Sequence, residues 1–366
     1  MQSKRIKTKI AVIGASGVVG RALAEHLIRH EVPVIGLSRR PPNDLTNLPF
    51  QSLDLTNGTE CKKVAKSILS DVTHIVYTAL YEKPGLIYGW RERDQMQLNL
   101  IMLQNLLEAL GTKNKLRHVT LLQGTKAYGA HVSPMKIPGL ESEPRHQHEN
   151  FYWLQEDYVR NFCSDKNKEF TIWRPQVIFG HALHAPMNML AAIGVYAALQ
   201  KAADLPLNYP GGPSGVSEAI DADLLAKAIH FSFNKGEFLN ETFNITNGDV
   251  FRWQDIWPFL AKIFGMEAGE PKKQLLSESL YEKEEAWAQL TKQKNLQPHT
   301  IRELVGDSFY YADAMFNAYG NEVPPPALLS TIKLRHAGFS ECVDTRAMLS
   351  RWFQKLARLK ILPLIA

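Results

Sequence analysis

Short apolar runs rich in β-branched residues recur along the first half of the chain, each closed by glycine or a polar turn and followed by an amphipathic stretch. Residues 9–13, 32–37, 49–53, 74–80 and 117–122 read as strands, and residues 59–70 and 93–110 as helices between them. Directly after the first run, Ala22, Leu23, Leu27 and Ile28 recur at helical spacing. This alternation predicts βαβ crossovers, hence a parallel sheet covered by helices on both faces, with ligands at the carboxyl ends of its strands. A polar loop over 131–149, a helix over 151–164 and a sixth strand over 170–179 complete the series.

Past Gly180 the rhythm changes, and Pro206, Pro210, Gly211, Gly212 and Pro213 break the chain. The expected architecture is α/β: a Rossmann-type doubly wound parallel sheet over residues 1–180, which carries the ligand crevice, and a smaller carboxyl-terminal α+β substrate domain over 181–366. Residues 219–235 are expected to pack back on the first domain, and the charged stretch 272–300 to form a solvated helical pair.

A length of 366 residues accommodates both parts. The formal net charge of +5 is small and its lysines and arginines are interspersed with acids, which argues against a nucleic-acid partner. Three widely spaced cysteines, Cys61, Cys163 and Cys342, exclude a disulfide framework and a CxxC metal pair. The most apolar stretch, 187–199, is shorter than the roughly 20 residues a membrane-spanning helix needs. The expectation is a soluble cytoplasmic protein with a small-molecule partner and no membrane; a homodimer is allowed.

Chemistry begins at the junction after the first strand. Gly14, Gly17 and Gly20 stand where a strand turns into a helix, the arrangement that lets a backbone approach a pyrophosphate at a helix amino terminus. Ser16, Val18 and Val19 belong to the same turn. The second strand ends in Ser38, Arg39 and Arg40, with no carboxylate to hold a ribose 2′-hydroxyl and two guanidiniums suited to a 2′-phosphate, so NADPH is the expected cofactor. Asp54, followed by Leu55, is placed to accept from the adenine amino group, with a turn aspartate as the competing reading. Thr78 and Ala79 end the fourth strand, Gln123 the fifth, and Pro175, Val177 and Ile178 the sixth, beside the nicotinamide position. No metal is expected: His118, His131, His181 and His184 lack metal spacing, and Asp221 with Asp223 reads as a helix start.

In short-chain dehydrogenases a tyrosine on the helix after the fifth strand carries a lysine one turn later, which lowers the phenol pKa for proton transfer. Here Tyr152 is followed one turn later by Glu156, which cannot supply that field. Lys126, leaving the fifth strand, is the cation placed to compensate. A neutral tyrosine hydroxyl can still stabilise an oxyanion, as is needed when hydride adds to the β-carbon of an activated alkene.

Taken together, Gly14-x-x-Gly17-x-x-Gly20, Ser38-Arg39-Arg40-Pro41, Gln123-Gly124-Thr125-Lys126, Asn150-Phe151-Tyr152 with Glu156-Asp157, Arg174-Pro175 with Ile178-Phe179-Gly180, and the string from Asn244 through Asn247-Gly248-Asp249-Val250-Phe251 to Trp253 resemble the progesterone 5β-reductase/iridoid synthase-like family of atypical extended short-chain dehydrogenases. The resemblance runs on to His336-Ala337-Gly338-Phe339 and Trp352. It implies NADPH-dependent 1,4-reduction of enones, with the family's tyrosine and lysine on Tyr152 and Lys126. Trp153 stands where the family commonly has a second tyrosine, and Ala127-Tyr128-Gly129-Ala130-His131 replaces its HY-x-GP string, so the pocket rim differs. Two other readings explain less: a sugar-nucleotide epimerase or dehydratase, opposed by the missing lysine after Tyr152, and a silent NADPH sensor, opposed by retention of Tyr152 and Lys126.

Overall fold

The strand, turn and helix expected at the amino terminus are Ile10–Ile13 (β1) and Val18–Arg29 (α1) in the computed structural model, which describes residues 8–42, 44–111 and 114–363. Further strands are Val34–Ser38 (β2), Phe50–Ser52 (β3), His74–Tyr77 (β4), His118–Leu122 (β5) and Glu169–Pro175 (β6). Together with Glu241–Ile245 they form a seven-stranded sheet in the order β3-β2-β1-β4-β5-β6-(Glu241–Ile245). All its neighbours are parallel.

Both faces are covered, and the two-residue period of a strand divides β1 between two cores. Ile10 and Val12 join the core under α1, while Ala11 and Ile13 face the core built with Gly58–Val64 (α2) and Arg93–Ala109 (α3). The fourth helix of this half, Phe151–Lys166 (α4), starts where the hydrophobic pattern placed it. The switch in winding direction falls between β1 and β4, so the carboxyl ends of these strands diverge into a crevice.

Several expectations need correction. The helix over 59–70 is α2 followed by a wider π-type turn at Ala65–Leu69. The strand expected over 170–179 is two strands, because Pro175 has no N–H to continue the ladder. After it the chain leaves the sheet, and Val177–Phe179 (β7) pairs instead with Ala219–Asp221. The sheet is also not confined to residues 1–180, since its last strand is Glu241–Ile245.

The stretch too short for a membrane is Met189–Ala202 (α5), buried on nearly every face, and it shares one continuous core with α1 and with Ala222–Ser232 (α6). Helix α6 packs along α1, and Asp221 caps its amino terminus by accepting from the Asp223 N–H. Residues 272–300 are not a solvated helical pair. Their one long helix, Glu284–Lys294, is seated in the large core by Trp287 and Leu290. Among the described residues no helix is long and apolar enough to cross a membrane.

Candidate functional site

At the carboxyl ends of β1, β4 and β5 the crevice is a cavity of about 950 Å³, closed from the other side by Glu218, Tyr311 and Met315 of the second half. It is lined by Gly14, Ser16, Gly17, Val18, Val19, Ser38, Arg39, Arg40, Asp54, Leu55, Thr78, Ala79, Gln123, Lys126, Tyr152, Pro175, Val177 and Ile178, every expected site residue except Gly20. A Cβ at Gly20 would lie 2.2 Å from the Gly14 carbonyl oxygen, so this glycine serves the packing of α1 on the turn. Gly14 adopts a φ of +88°, and a side chain there would strike Ala79.

The turn fits a dinucleotide. Gly17 caps α1 without a side-chain bond, no acid sits in the first turn, and a Cβ at Gly17 would meet only the Gly14 oxygen, at 3.4 Å. The first N–H groups and the positive helix end therefore face the cavity bare, as a pyrophosphate requires. Thr78 Oγ donates to the Ile13 carbonyl at 2.8 Å and ties β4 to the turn.

At the end of β2, Arg39 and Arg40 are exposed. The Ser38 hydroxyl donates to the Arg40 carbonyl at 2.6 Å, which shapes the loop that presents them. Asp54 accepts from the Thr56 N–H at 2.9 Å and from its hydroxyl at 2.8 Å, bonds that hold its carboxyl below the usual range. It is thus a turn aspartate that also lines the cavity. Sequence reasoning missed the brace behind this loop. Buried Arg21 binds Asp44 and Glu25, and His181 Nε2 lies 3.2 Å from Asp44. Burial works against the Asp44 charge, but the bonds from His181 and Arg21 prevail and depress its pKa.

Beyond β5, Asn150 caps α4, and its amide donates to the Lys126 carbonyl at 2.7 Å, so one residue fixes Tyr152 and Lys126 relative to each other. The Tyr152 ring packs on Phe151 with centroids 4.3 Å apart, and its hydroxyl would stand 3.5 Å from a Cβ at Gly124. Among the described residues this hydroxyl has no hydrogen-bond partner, and Tyr152 lines the cavity beside Gly124. Burial raises its pKa, and the charge of Glu82 adds to the effect, so the phenol stays protonated.

Glu156 belongs to a separate buried network. Its carboxylate accepts from Gln123 at 2.9 Å and is ringed by Arg145, Arg160 and Arg174 at 3.0–3.3 Å. Arg174 also donates to Gln123 at 2.8 Å, joining α4 to β5 and β6. Lys126 is equally particular. Its ammonium sits 4.1 Å over the Trp90 ring and 3.6 Å from Glu82 Oε1, without a hydrogen bond. Burial lowers the Lys126 pKa and raises that of Glu82, with each charge opposing the other's shift. Glu82 follows β4 in a loop with no pattern to mark it. His131 also lines the cavity with its Nδ1 unpartnered, and burial followed by the Lys126 charge lowers its pKa to about 3.

Residues 10–246 match the NAD dependent epimerase/dehydratase family. The chain is 32% identical to the (S)-8-oxocitronellyl enol synthase of Antirrhinum majus, over 96% of this chain and 92% of that one. It is 31% identical to the 3-oxo-Delta(4,5)-steroid 5-beta-reductase of Arabidopsis thaliana, over 99% and 95%. Among solved structures, the UDP-glucose 4-epimerase of Thermotoga maritima superposes with a TM-score of 0.68 at 19% identity, covering 95% of this chain and 99% of that one. The Thermus thermophilus enzyme of the same name, a complex with NAD, superposes at 0.64 with 15% identity, covering 94% and 97%. These two establish the fold. The enol synthase and steroid reductase establish the branch: the chain belongs to the progesterone 5β-reductase/iridoid synthase-like group of the NAD-dependent epimerase/dehydratase family.

Proposed function

We propose that the protein reduces the activated C=C bond of α,β-unsaturated carbonyl compounds with NADPH. The observation that carries this reading is the state of Tyr152: a neutral phenol, free to donate into the cavity, with a caged glutamate where a proton-shuttling tyrosine has its lysine. Supporting it are the names of the enol synthase and the steroid 5β-reductase to which the chain is similar. The exposed Arg39 and Arg40 favour the phosphorylated cofactor.

When bound, NADPH supplies the hydride that adds to the β-carbon. The chain supplies the rest. The glycine turn and the start of α1 hold the pyrophosphate, and Pro175, Val177 and Ile178 flank the nicotinamide. The Tyr152 hydroxyl donates to the substrate carbonyl oxygen, most strongly as that oxygen gains enolate charge, and keeps its own proton. Lys126, balanced against Glu82, sets the field around that oxygen. The enolate then takes its α-proton from solvent.

The test is NADPH consumption, followed at 340 nm, over cyclic and acyclic enones, saturated aldehydes and ketones, with the saturated carbonyl product identified by mass spectrometry. Turnover of enones but not of saturated ketones is expected. Oxidation of NADPH only by saturated ketones or aldehydes, or binding and conversion of a UDP-sugar, would overturn the proposal.

A further inference from the structure

Away from the cavity, the last turn of α1 and the last turn of α6 bring three histidines together. His26 and His30 are four residues apart and so share a helix face, and His230 meets them from α6. One ring nitrogen from each lies within 4.8 Å of the others. The His26 Nε2 to His230 Nδ1 distance is 3.0 Å, and the His26 and His30 rings lie 4.1 Å apart between centroids. We propose that His26, His30 and His230 form a binding site for a divalent transition metal of the zinc, nickel or cobalt class, joining α1 to α6.

The ligand chemistry fits. Imidazole suits these metals, and three nitrogens plus water complete a four-coordinate shell. The His30 Nδ1–H donates to the His26 carbonyl at 2.8 Å, the outer-shell bond that typically fixes a ligating imidazole and leaves Nε2 with its lone pair. One of the two facing nitrogens of His26 and His230 carries the shared proton; when that proton moves to the other nitrogen of its ring, both lone pairs are available, and a metal ion can take its place as the nitrogens part from 3.0 Å to the roughly 3.4 Å of a tetrahedral shell. Two nitrogens on a tetrahedral zinc lie roughly 3.4 Å apart, so the ring of exposed His30 has to turn inward by up to roughly 1.4 Å to complete the set.

The surroundings do not forbid a dication. All three residues sit where helices end and carbonyl groups give a negative dipole end. Of the nearby cations, Lys227 pairs with Glu341 at 3.0 Å, and Arg29 lies 4.0 Å from Glu25. Since α1 begins at the glycine turn, the site lies roughly 15 Å along the helix from the cavity, by the 1.5 Å rise per residue. It therefore takes no direct part in hydride transfer.

The experiment is isothermal titration of zinc chloride, and separately cobalt chloride, into the full chain without a polyhistidine tag. We expect one equivalent bound with a Kd in the micromolar range or below, and for cobalt the visible absorption of a four-coordinate site. His30→Ala and His230→Ala should each weaken zinc binding at least tenfold, whereas His146→Ala, in a separate loop, should not change it. Circular dichroism melts of the metal-free variants check that they fold. Should His230→Ala fail that check, His30→Ala, at an exposed position, decides alone. Absence of stoichiometric binding to the unaltered protein, or binding unchanged in His30→Ala, would overturn the inference.

Discussion

Lys126 Nζ and Glu82 Oε1 face each other at 3.6 Å, each without a hydrogen bond, beside the only phenol of α4's first turn. The pair puts two opposed charges where a bare cation was expected near Tyr152, and under the proposed function the field at the substrate oxygen depends on both. Burial depresses the Lys126 pKa and the Glu82 charge opposes that shift. In Glu82→Gln the opposition is gone, so the lysine should lose its proton at lower pH. The basic limb of the pH–kcat profile for an enone is expected to move to lower pH, and a limb that stays in place would show that Lys126 does not titrate against Glu82 during turnover.

On the proposed mechanism Tyr152→Phe removes the donor to the substrate oxygen and little else, since the hydroxyl has no hydrogen-bond partner among the described residues. Loss of an oxyanion donor generally costs about 10²–10³ in kcat. A fall of that order is expected for enones, with the Kd for NADPH, followed by its fluorescence, unchanged within about twofold. Retained turnover would place the oxyanion contact elsewhere.

Arg39→Ala and Arg40→Ala test the choice of cofactor. Each removes a guanidinium at the end of β2 without disturbing a buried contact. The expected outcome is a rise of roughly tenfold or more in KM for NADPH in at least one variant, equivalent to ~1.4 kcal/mol of lost binding, with KM for NADH little changed. Equal effects on both cofactors would remove the 2′-phosphate assignment.

Glu156→Lys writes the short-chain dehydrogenase lysine into the chain, and the surroundings should refuse it. The new ammonium would sit among Arg145, Arg160 and Arg174 with no carboxylate between them. Breaking a buried ion pair in this way costs about 3–5 kcal/mol. Urea denaturation should show a clear drop in midpoint, with no gain in ketone reduction. A stable variant with ketone activity would show that the cage is not structural.

Two buried histidines make the fold sensitive to acid. His74 donates to Thr73 and His118 to Thr171, and desolvation lowers their pKa values from 6.5 to about 4 and about 3. Below pH 6.5 the unfolded chain binds protons that the folded chain refuses, so stability is full above that pH and declines as the pH falls toward about 4. Melting midpoints should therefore drop between pH 7 and pH 5, and the drop should be smaller in His118→Gln, which keeps a donor for Thr171. Equal drops in the two proteins would assign the acid sensitivity to other groups.

Most of the sheet was legible because central strands of a parallel sheet are continuous apolar runs and the intervening helices keep a separate period. Ile10–Ile13 and His74–Tyr77 are examples, buried along their whole length. The glycine turn was legible too, since the three-residue spacing of Gly14, Gly17 and Gly20 between a strand and a helix is local, although Ala79 and Thr78, which exclude a side chain at Gly14, come from β4's end. A single strand over 170–179 is the reading that fails: Pro175 closes β6, and its missing N–H is the signal that this ladder ends there.

What escaped lies between segments far apart in the chain. Glu82 faces Lys126 across 44 residues, Tyr311 enters the cavity from the second half, and the last strand joins the sheet at Glu241–Ile245. The sequence by itself determined the βαβ series, the cradle for a dinucleotide and the pairing of Tyr152 with Lys126 as candidates, because each rests on local spacing. Only the tertiary structure decided that Lys126 is charge-balanced, that Glu156 is caged by three arginines and that the Tyr152 hydroxyl has no partner among the described residues. Those depend on burial and on long-range contacts, which no single stretch of the chain contains.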